Sequence, residues 1–261
     1  MISSDRVLYE VSDRVARLTI NRPDKLNALD RQTMIDIDRA VAAARDDASV
    51  GVLIVSGAGE KAFVAGADIN ELAKQSPVEG AAYARAGQGV LDRLETMGKP
   101  SIAVIKGYAL GGGCELAMAC TLRLASDTAK IGQPETTLAI IPGYGGTQRL
   151  SRLVGRGKAL EMILTGETID AKEAHRIGLV NRVLPLAEID AAADALAKTL
   201  LARGPVALRL AMQAIHEGLQ MSLAEGLSLE TVLFGLSCAT DDMREGTRAF
   251  LEKRKPSYHG R

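Results

Sequence analysis

An α/β fold is predicted by three observations on the sequence. Apolar runs such as GVLIVSG (51–57) and SIAVIKG (101–107) read as buried strands, and stretches with helical spacing of apolar residues lie between them. Of the 261 residues 47% are hydrophobic, enough for one substantial core. Strands separated by helices imply a layered core with crossover connections.

Taken in order, RVARLTI (14–20) alternates apolar and polar residues, the pattern of a half-buried strand. Leu29 to Arg45 carries Met34, Ile37, Asp38 and Val41 at helical spacing and stops at Asp46-Asp47, before a strand at 51–55. In KAFVAGADINELAK (61–74), Asp68 followed by Glu71 fits a capping pattern, so a helix starts at Ile69. The small-residue run after Gly111, Gly112 and Gly113 reads as another helix. From about Leu186 the chain turns helical, over 191–218, 221–240 and 241–256, with Gly204-Pro205 and Gly218 at the junctions. Ser222 with Glu225 and Asp242 with Glu245 each fit a capping box. A core over 1–185 and a helical region over 186–261 are expected, with no internal repeat of clear period.

Charge and cysteine usage exclude several classes. Lys plus Arg and Asp plus Glu both total 32, so no basic excess exists to hold a nucleic-acid backbone, and 3% aromatic content without Trp argues against base-stacking platforms. The start, MISSDRVLYEV, lacks a secretory pattern, and no apolar run reaches spanning length without a charge, so a cytoplasmic protein with no membrane association is expected. Cys114, Cys120 and Cys238 are odd in number and lack ligand spacing, which fits reduced thiols and no metal.

The chemistry is concentrated in two segments. GYALGGGCELAMA (107–119) places one acid, Glu115, in a stretch fit for burial. Desolvation raises the pKa of such a carboxyl toward neutrality, where proton transfer is efficient; a structural ion pair is the plain alternative. GQPETTLAIIPGYGGTQRL (132–150) repeats the design with Glu135, whose plain alternative is a polar turn residue after Pro134. Two carboxyls in apolar, glycine-rich settings suggest an acid and base pair. The amides of Ala67 and Gly112, each beside a helix start, are candidates for a pair of oxyanion donors. Cys114 beside Glu115 invites a nucleophile reading, yet His175, His216 and His259 lie in ordinary contexts with none recognisably paired to it.

NRPDKLNAL, AFVAGADI, GYALGGGCELAMAC, GQPETTL and IPGYGGTQRL, in this order and spacing, resemble the enoyl-CoA hydratase (crotonase) family over nearly the whole chain. The resemblance implies a ClpP-like spiral of ββα units with a C-terminal helical trimerisation region, assembled as a homotrimer or a dimer of trimers. It implies an acyl-CoA substrate, no permanently bound cofactor, and a hydro-lyase that adds water syn across a trans-2-enoyl-CoA to give a 3-hydroxyacyl-CoA. Both hydratase glutamates of the family are matched, by Glu115 and Glu135, which favours hydration over isomerase, hydrolase and decarboxylase branches. An enoyl-CoA isomerase is the nearest rival, and an RNA-binding or catalytically silent relative a remote one.

By the same resemblance, Lys25, Leu26, Ala65, Asp68 and Ile69 cradle the adenine and pantetheine of coenzyme A, largely through backbone. Lys25 faces the phosphates or is a solvated loop lysine. Phe250 and Lys253 cover the coenzyme A of an adjacent subunit, or form a basic helix end complementing its dipole. Gly143 lies at the water side of the pocket, Gly111 and Pro134 bind the substrate, and Tyr108, Leu110 and Leu138 wall the acyl channel.

Overall fold

A computed structural model of the chain describes residues 4–261; the first three residues of the expected 1–185 unit lie outside them. In chain order the elements are β1 (Val7–Ser12), β2 (Val15–Ile20), α1 (Arg31–Asp46), β3 (Val52–Gly57), β4 (Ala62–Val64), α2 (Ile69–Leu72) and α3 (Pro77–Glu95). Then come β5 (Ser101–Ile105), β6 (Tyr108–Leu110), α4 (Gly112–Ala119), β7 (Leu122–Ser126), β8 (Lys130–Gly132), α5 (Gly146–Val154) and α6 (Arg156–Thr165). The chain finishes with β9 (Thr168–Asp170), α7 (Ala171–Arg176), β10 (Arg182–Leu184), α8 (Ile189–Leu201), α9 (Pro205–Gly218), α10 (Leu223–Cys238) and α11 (Asp241–Leu251).

Each turn of the chain lays one strand in each of two sheets. One sheet runs β1-β2-β3-β5-β7-β10, antiparallel only at its β1-β2 edge, and the other runs β4-β6-β8-β9. Thus β3 and β4, β5 and β6, and β7 and β8 are successive pairs, each handing the chain to helices before the next pair begins. Parallel neighbours cannot be joined by hairpins, so the helices return the chain and the whole winds as a spiral.

Burial on both faces explains the near-continuous apolar strands. On one face Leu18, Leu53, Val55, Ala103, Ile105 and Ala125 join the main core with α1, α3 and α4. On the other, Val52, Ile54, Ile102, Val104 and Leu124 pack against Ile189, Ala193 and Ala197 of α8. In β2 the alternation survives: Arg17 and Thr19 are half-buried between buried Ala16, Leu18 and Ile20, and Arg17 reaches Asp194 at 2.6 Å.

The caps fall largely as the residues dictate. Asp30 caps α1 by accepting the Thr33 amide, and Asp68 caps α2 by accepting that of Asn70. Glu71 does not close a box with Asp68; its carboxylate takes the Arg31 amide at 2.9 Å and so joins α2 to the start of α1. The Ser222–Glu225 box forms at α10. The Asp242–Glu245 box does not: Thr240 caps α11, and Asp242 is turned to the chain end, where it accepts the amides of His259 and Gly260 at 2.7 and 2.8 Å. Two backbone donors from the returning tail outcompete one local cap. The stretch 191–218 breaks at Gly204-Pro205 into α8 and α9.

Helix α4 is buried along its whole length, and one glycine makes its approach to the second sheet possible. A Cβ on Gly113 would lie 2.0 Å from the Val64 carbonyl oxygen of β4. Because backbone cannot yield as a flexible side chain can, Gly113→Ala should cost about 3 kcal/mol or more in stability. Urea unfolding measures this, and an unchanged midpoint would refute the close packing of α4 on β4.

Candidate active site

Helix α4 delivers Glu115 from its first turn into the floor of a cavity of about 930 Å³. The turn before it is fixed by Gly111, at φ +50, whose amide donates to the Gly132 carbonyl at 3.0 Å. Gly132 closes β8, and two residues on, the 3₁₀ turn Pro134–Leu138 brings Glu135 to the same cavity. A Cβ on Gly111 would stand 2.9 Å from Oε1 of Glu135, so the glycine leaves the space that this carboxylate fills.

Each acid is displaced from ordinary behaviour by its surroundings. Glu115 is 2% exposed, and burial pushes it up to about 7, against the opposing pull of the Tyr144 and Gly146 amides, each 2.7 Å from Oε1. Its other oxygen, Oε2, accepts no hydrogen bond among the described residues. Burial also pushes Glu135 up to about 7, with the negative charge of Glu115 adding to the rise. The Gln133 amide, oriented with its nitrogen toward Glu135, donates to both carboxylate oxygens at 2.9 and 3.0 Å.

Two amides open beside this pair. The bridge between Leu29 and Ala67 is made by the Gly66 carbonyl and the Asp68 amide, and so leaves the Ala67 amide without a backbone acceptor among the described residues. Gly112 is the first residue of α4, where a helical amide has no partner within its helix. Ala67 and Gly112 both line the cavity, with Ala65, Ile69, Leu110, Gly111, Pro134, Leu138 and Gly143. The arrangement can hold a negatively charged oxygen on two main-chain donors while two carboxyls near neutrality exchange protons with the atoms beyond it.

Other sequence-derived positions lie outside this cavity. Lys25 and Leu26 are in the preceding loop, which buried Asn27 pins to β4 by donating to the Ala62 carbonyl at 2.8 Å. Leu26 accepts the Ala65 amide at 3.0 Å, so the loop borders the cavity wall. Asp68 is occupied as a cap and in an ion pair with Arg22 at 3.3 Å, which hold its carboxyl below the usual range against the effect of partial burial. Tyr108 does not wall the cavity: it lines a separate surface depression with Lys61 and Lys130. It stands two positions before Leu110, about 7 Å along β6, which carries it past the cavity's edge. Phe250, at the end of α11, is 83% exposed, and Lys253 follows that helix at φ +55; neither lines the cavity of its own chain.

Some site residues were not expected from sequence. Tyr144 is buried, with its ring 5.3 Å from that of Tyr83, and a Cβ on Gly87 would stand 2.2 Å from it. The Tyr144 and Gly146 amides that hold Glu115 had no signal beyond the glycines around them. Cys114 is buried, and its thiol is pushed up to about 12 by burial, which denies it the thiolate a nucleophile needs. No group of three or more His, Cys, Asp or Glu residues able to hold a metal occurs among the described residues. No helix there is long and apolar enough to cross a membrane.

A two-sheet spiral with one buried and one half-buried acid beside unbonded main-chain donors is the crotonase architecture. The chain belongs to the enoyl-CoA hydratase/isomerase family, whose sequence model matches residues 10–261. It is 46% identical over 254 residues to a crotonyl-CoA hydratase of Syntrophomonas wolfei, covering 97% of this chain and 98% of that one. It is also 46% identical over 251 residues to a short-chain-enoyl-CoA hydratase of Clostridium acetobutylicum, covering 96% of each. The crystal structure of an enoyl-CoA hydratase from Bacillus anthracis superposes with a TM-score of 0.94 at 39% identity, over 98% of this chain and 100% of that one.

Proposed function

We propose that the protein is an enoyl-CoA hydratase that adds water syn across a trans-2-enoyl-CoA and reverses the reaction. The observation that carries this reading is the meeting of Glu115, Glu135 and the Ala67 and Gly112 amides on one apolar cavity. The two amides bind the thioester oxygen, so that electron density drawn from the alkene accumulates where donors are already fixed. Glu115 enters as the carboxylate. With Oε1 held by two amides, Oε2 is left to accept a proton from water as its oxygen bonds to the β carbon. Glu135 enters protonated and delivers its proton to the α carbon, so that H and OH arrive from the same face. The saturated 3-hydroxyacyl thioester leaves, and proton exchange restores the pair.

Short acyl chains such as crotonyl are the expected substrates, in line with the crotonyl-CoA and short-chain-enoyl-CoA hydratases among the relatives. Coenzyme A lies along Lys25, Leu26, Ala65, Asp68 and Ile69, and Phe250 and Lys253 reach the coenzyme A of a neighbouring subunit in a trimer or a dimer of trimers. Assembly is supported by exposed Leu219, Leu223, Phe234, Phe250 and Leu251 on the C-terminal helices, each at least 68% exposed in the single chain. A cytoplasmic setting fits the free cysteines, and fatty-acid oxidation is one of several pathways that use this chemistry.

Purified protein mixed with crotonyl-CoA should remove the conjugated thioester absorbance and form 3-hydroxybutyryl-CoA. No loss of absorbance, combined with conversion of a 3-enoyl-CoA to the 2-enoyl isomer, would replace the hydratase reading with an isomerase.

A further inference from the structure

We infer that Arg149 is a positioning residue for Glu115, acting through the main chain of the Tyr144–Gly146 turn. The inference rests on the hydratase reading for its kinetic consequence, but the geometry stands without it.

The turn presents its groups alternately to two sides. The Tyr144 and Gly146 amides point to Glu115, each 2.7 Å from Oε1. Of the two carbonyls between them, that of Gly145 accepts the Gln148 and Arg149 amides of α5 at 3.0 and 2.9 Å, and that of Tyr144 is taken by Nη1 of the Arg149 side chain at 3.1 Å. Gly145, at φ +106, permits this reversal, and a Cβ there would stand 2.5 Å from the same Nη1.

Arg149 is itself clamped. Its Nε and Nη2 donate to Glu95 at 2.9 and 2.8 Å, and Nη2 donates to Asp92 at 2.6 Å, both acceptors on α3. The Arg149 side chain is 12% exposed and Glu95 is 27% exposed, so the two bonds to Glu95 are shielded, fork-shaped contacts, while Asp92 adds a third from the solvent side. The fork thus ties the turn to a nineteen-residue helix. Without it, the Tyr144–Gly145 peptide is free to rotate and bring its carbonyl toward the carboxylate of Glu115. The amides would then lose their aim.

The groups facing Glu115 are the Tyr144 and Gly146 amides, the neutral Tyr144 hydroxyl, Arg149 on α5, Glu135 across the cavity and the neutral Cys114 thiol of α4. Those facing Arg149 are Asp92 and Glu95, with His216 of α9 3.9 Å from Glu95. Loss of Arg149 removes a cation near Glu115 and loosens two donors to its charged form. Both changes move the Glu115 titration to higher pH.

The test compares wild type with Arg149→Gln, Arg149→Lys and Glu95→Gln, using kcat/KM for crotonyl-CoA against pH and ¹³C NMR titration of labelled glutamates. The Glu115 resonance is assigned by its absence in Glu115→Gln. Arg149→Gln should move the basic-form limb and the carboxyl titration up by about one pH unit, the worth of roughly one charge-assisted hydrogen bond, and lower kcat more than it raises KM. Arg149→Lys, keeping charge without the fork, and Glu95→Gln, loosening the clamp, should each fall between. An unmoved carboxyl titration in folded Arg149→Gln, or in Glu95→Gln should the former not fold, would overturn the inference. If the wild type does not hydrate crotonyl-CoA but the NMR shift appears, the positioning holds and the hydratase reading fails.

Discussion

Glu115→Gln and Glu135→Gln should each lower kcat for crotonyl-CoA hydration by about 10²- to 10⁴-fold while leaving the circular dichroism spectrum unchanged. The substitutions are nearly isosteric. Gln at 115 retains a carbonyl oxygen that can accept the Tyr144 and Gly146 amides, so the turn should stay in place. What disappears is the capacity to take a proton from water. At 135 the amide retains its volume in the space left by Gly111 but has no acidic proton for the α carbon. Because water addition and proton delivery belong to one reaction, the double variant should fall well short of the product of the two single losses. Wild-type rates in either single variant would remove that residue from the mechanism.

Both acids were legible because each breaks a local pattern. Glu115 is a lone charge in a helix whose other residues all belong in a core, and the helix is buried throughout. Glu135 stands between Pro134 and a Thr-Thr-Leu run, and the turn it forms is anchored by the Thr136 hydroxyl donating to the Ile163 carbonyl at 2.7 Å. Ala67 was reachable through Asp68, whose capping role is local. The long strands and α1 declared themselves by periodicity.

The second sheet did not, because β4, β6 and β8 are three residues each, too short for alternation to register. The error over Tyr108 follows directly: its neighbour across the sheet is Lys130, a pairing set by register between strands rather than by composition. The same holds for Asp242, which is drawn from its expected box by a tail returning from seventeen residues away. It holds for Arg149 too, whose carboxylate acceptors lie more than fifty positions earlier on α3. Local signals reached the acids and amides that line the cavity; the groups that hold them in place answer to partners set by the fold.

That division also implies a thermodynamic cost at Glu115, and Glu115→Gln should therefore be the more stable protein at pH 8 by an amount that shrinks on acidification. Burial raises the folded-state pKa from 4.5 to about 7. Between those values the folded chain holds a proton that the unfolded chain has released. Wild-type stability from this group is full below about pH 4.5, declines as pH rises through 7 and stays low above it. The span corresponds to roughly 3 kcal/mol for a fully buried carboxyl. A glutamine at 115 does not titrate, so the variant escapes the decline. Removing the Glu115 charge also relieves Glu135, which adds to the gain in the same direction. Urea unfolding at pH 5 and pH 8, at fixed protein concentration because assembly contributes to apparent stability, reads the difference. A variant that loses catalysis and gains alkaline stability would show that the fold holds this acid in place for its chemistry. Equal stability differences at both pH values would mean that Glu115 titrates as an ordinary carboxylate, leaving it without the near-neutral acidity on which its role in proton transfer depends.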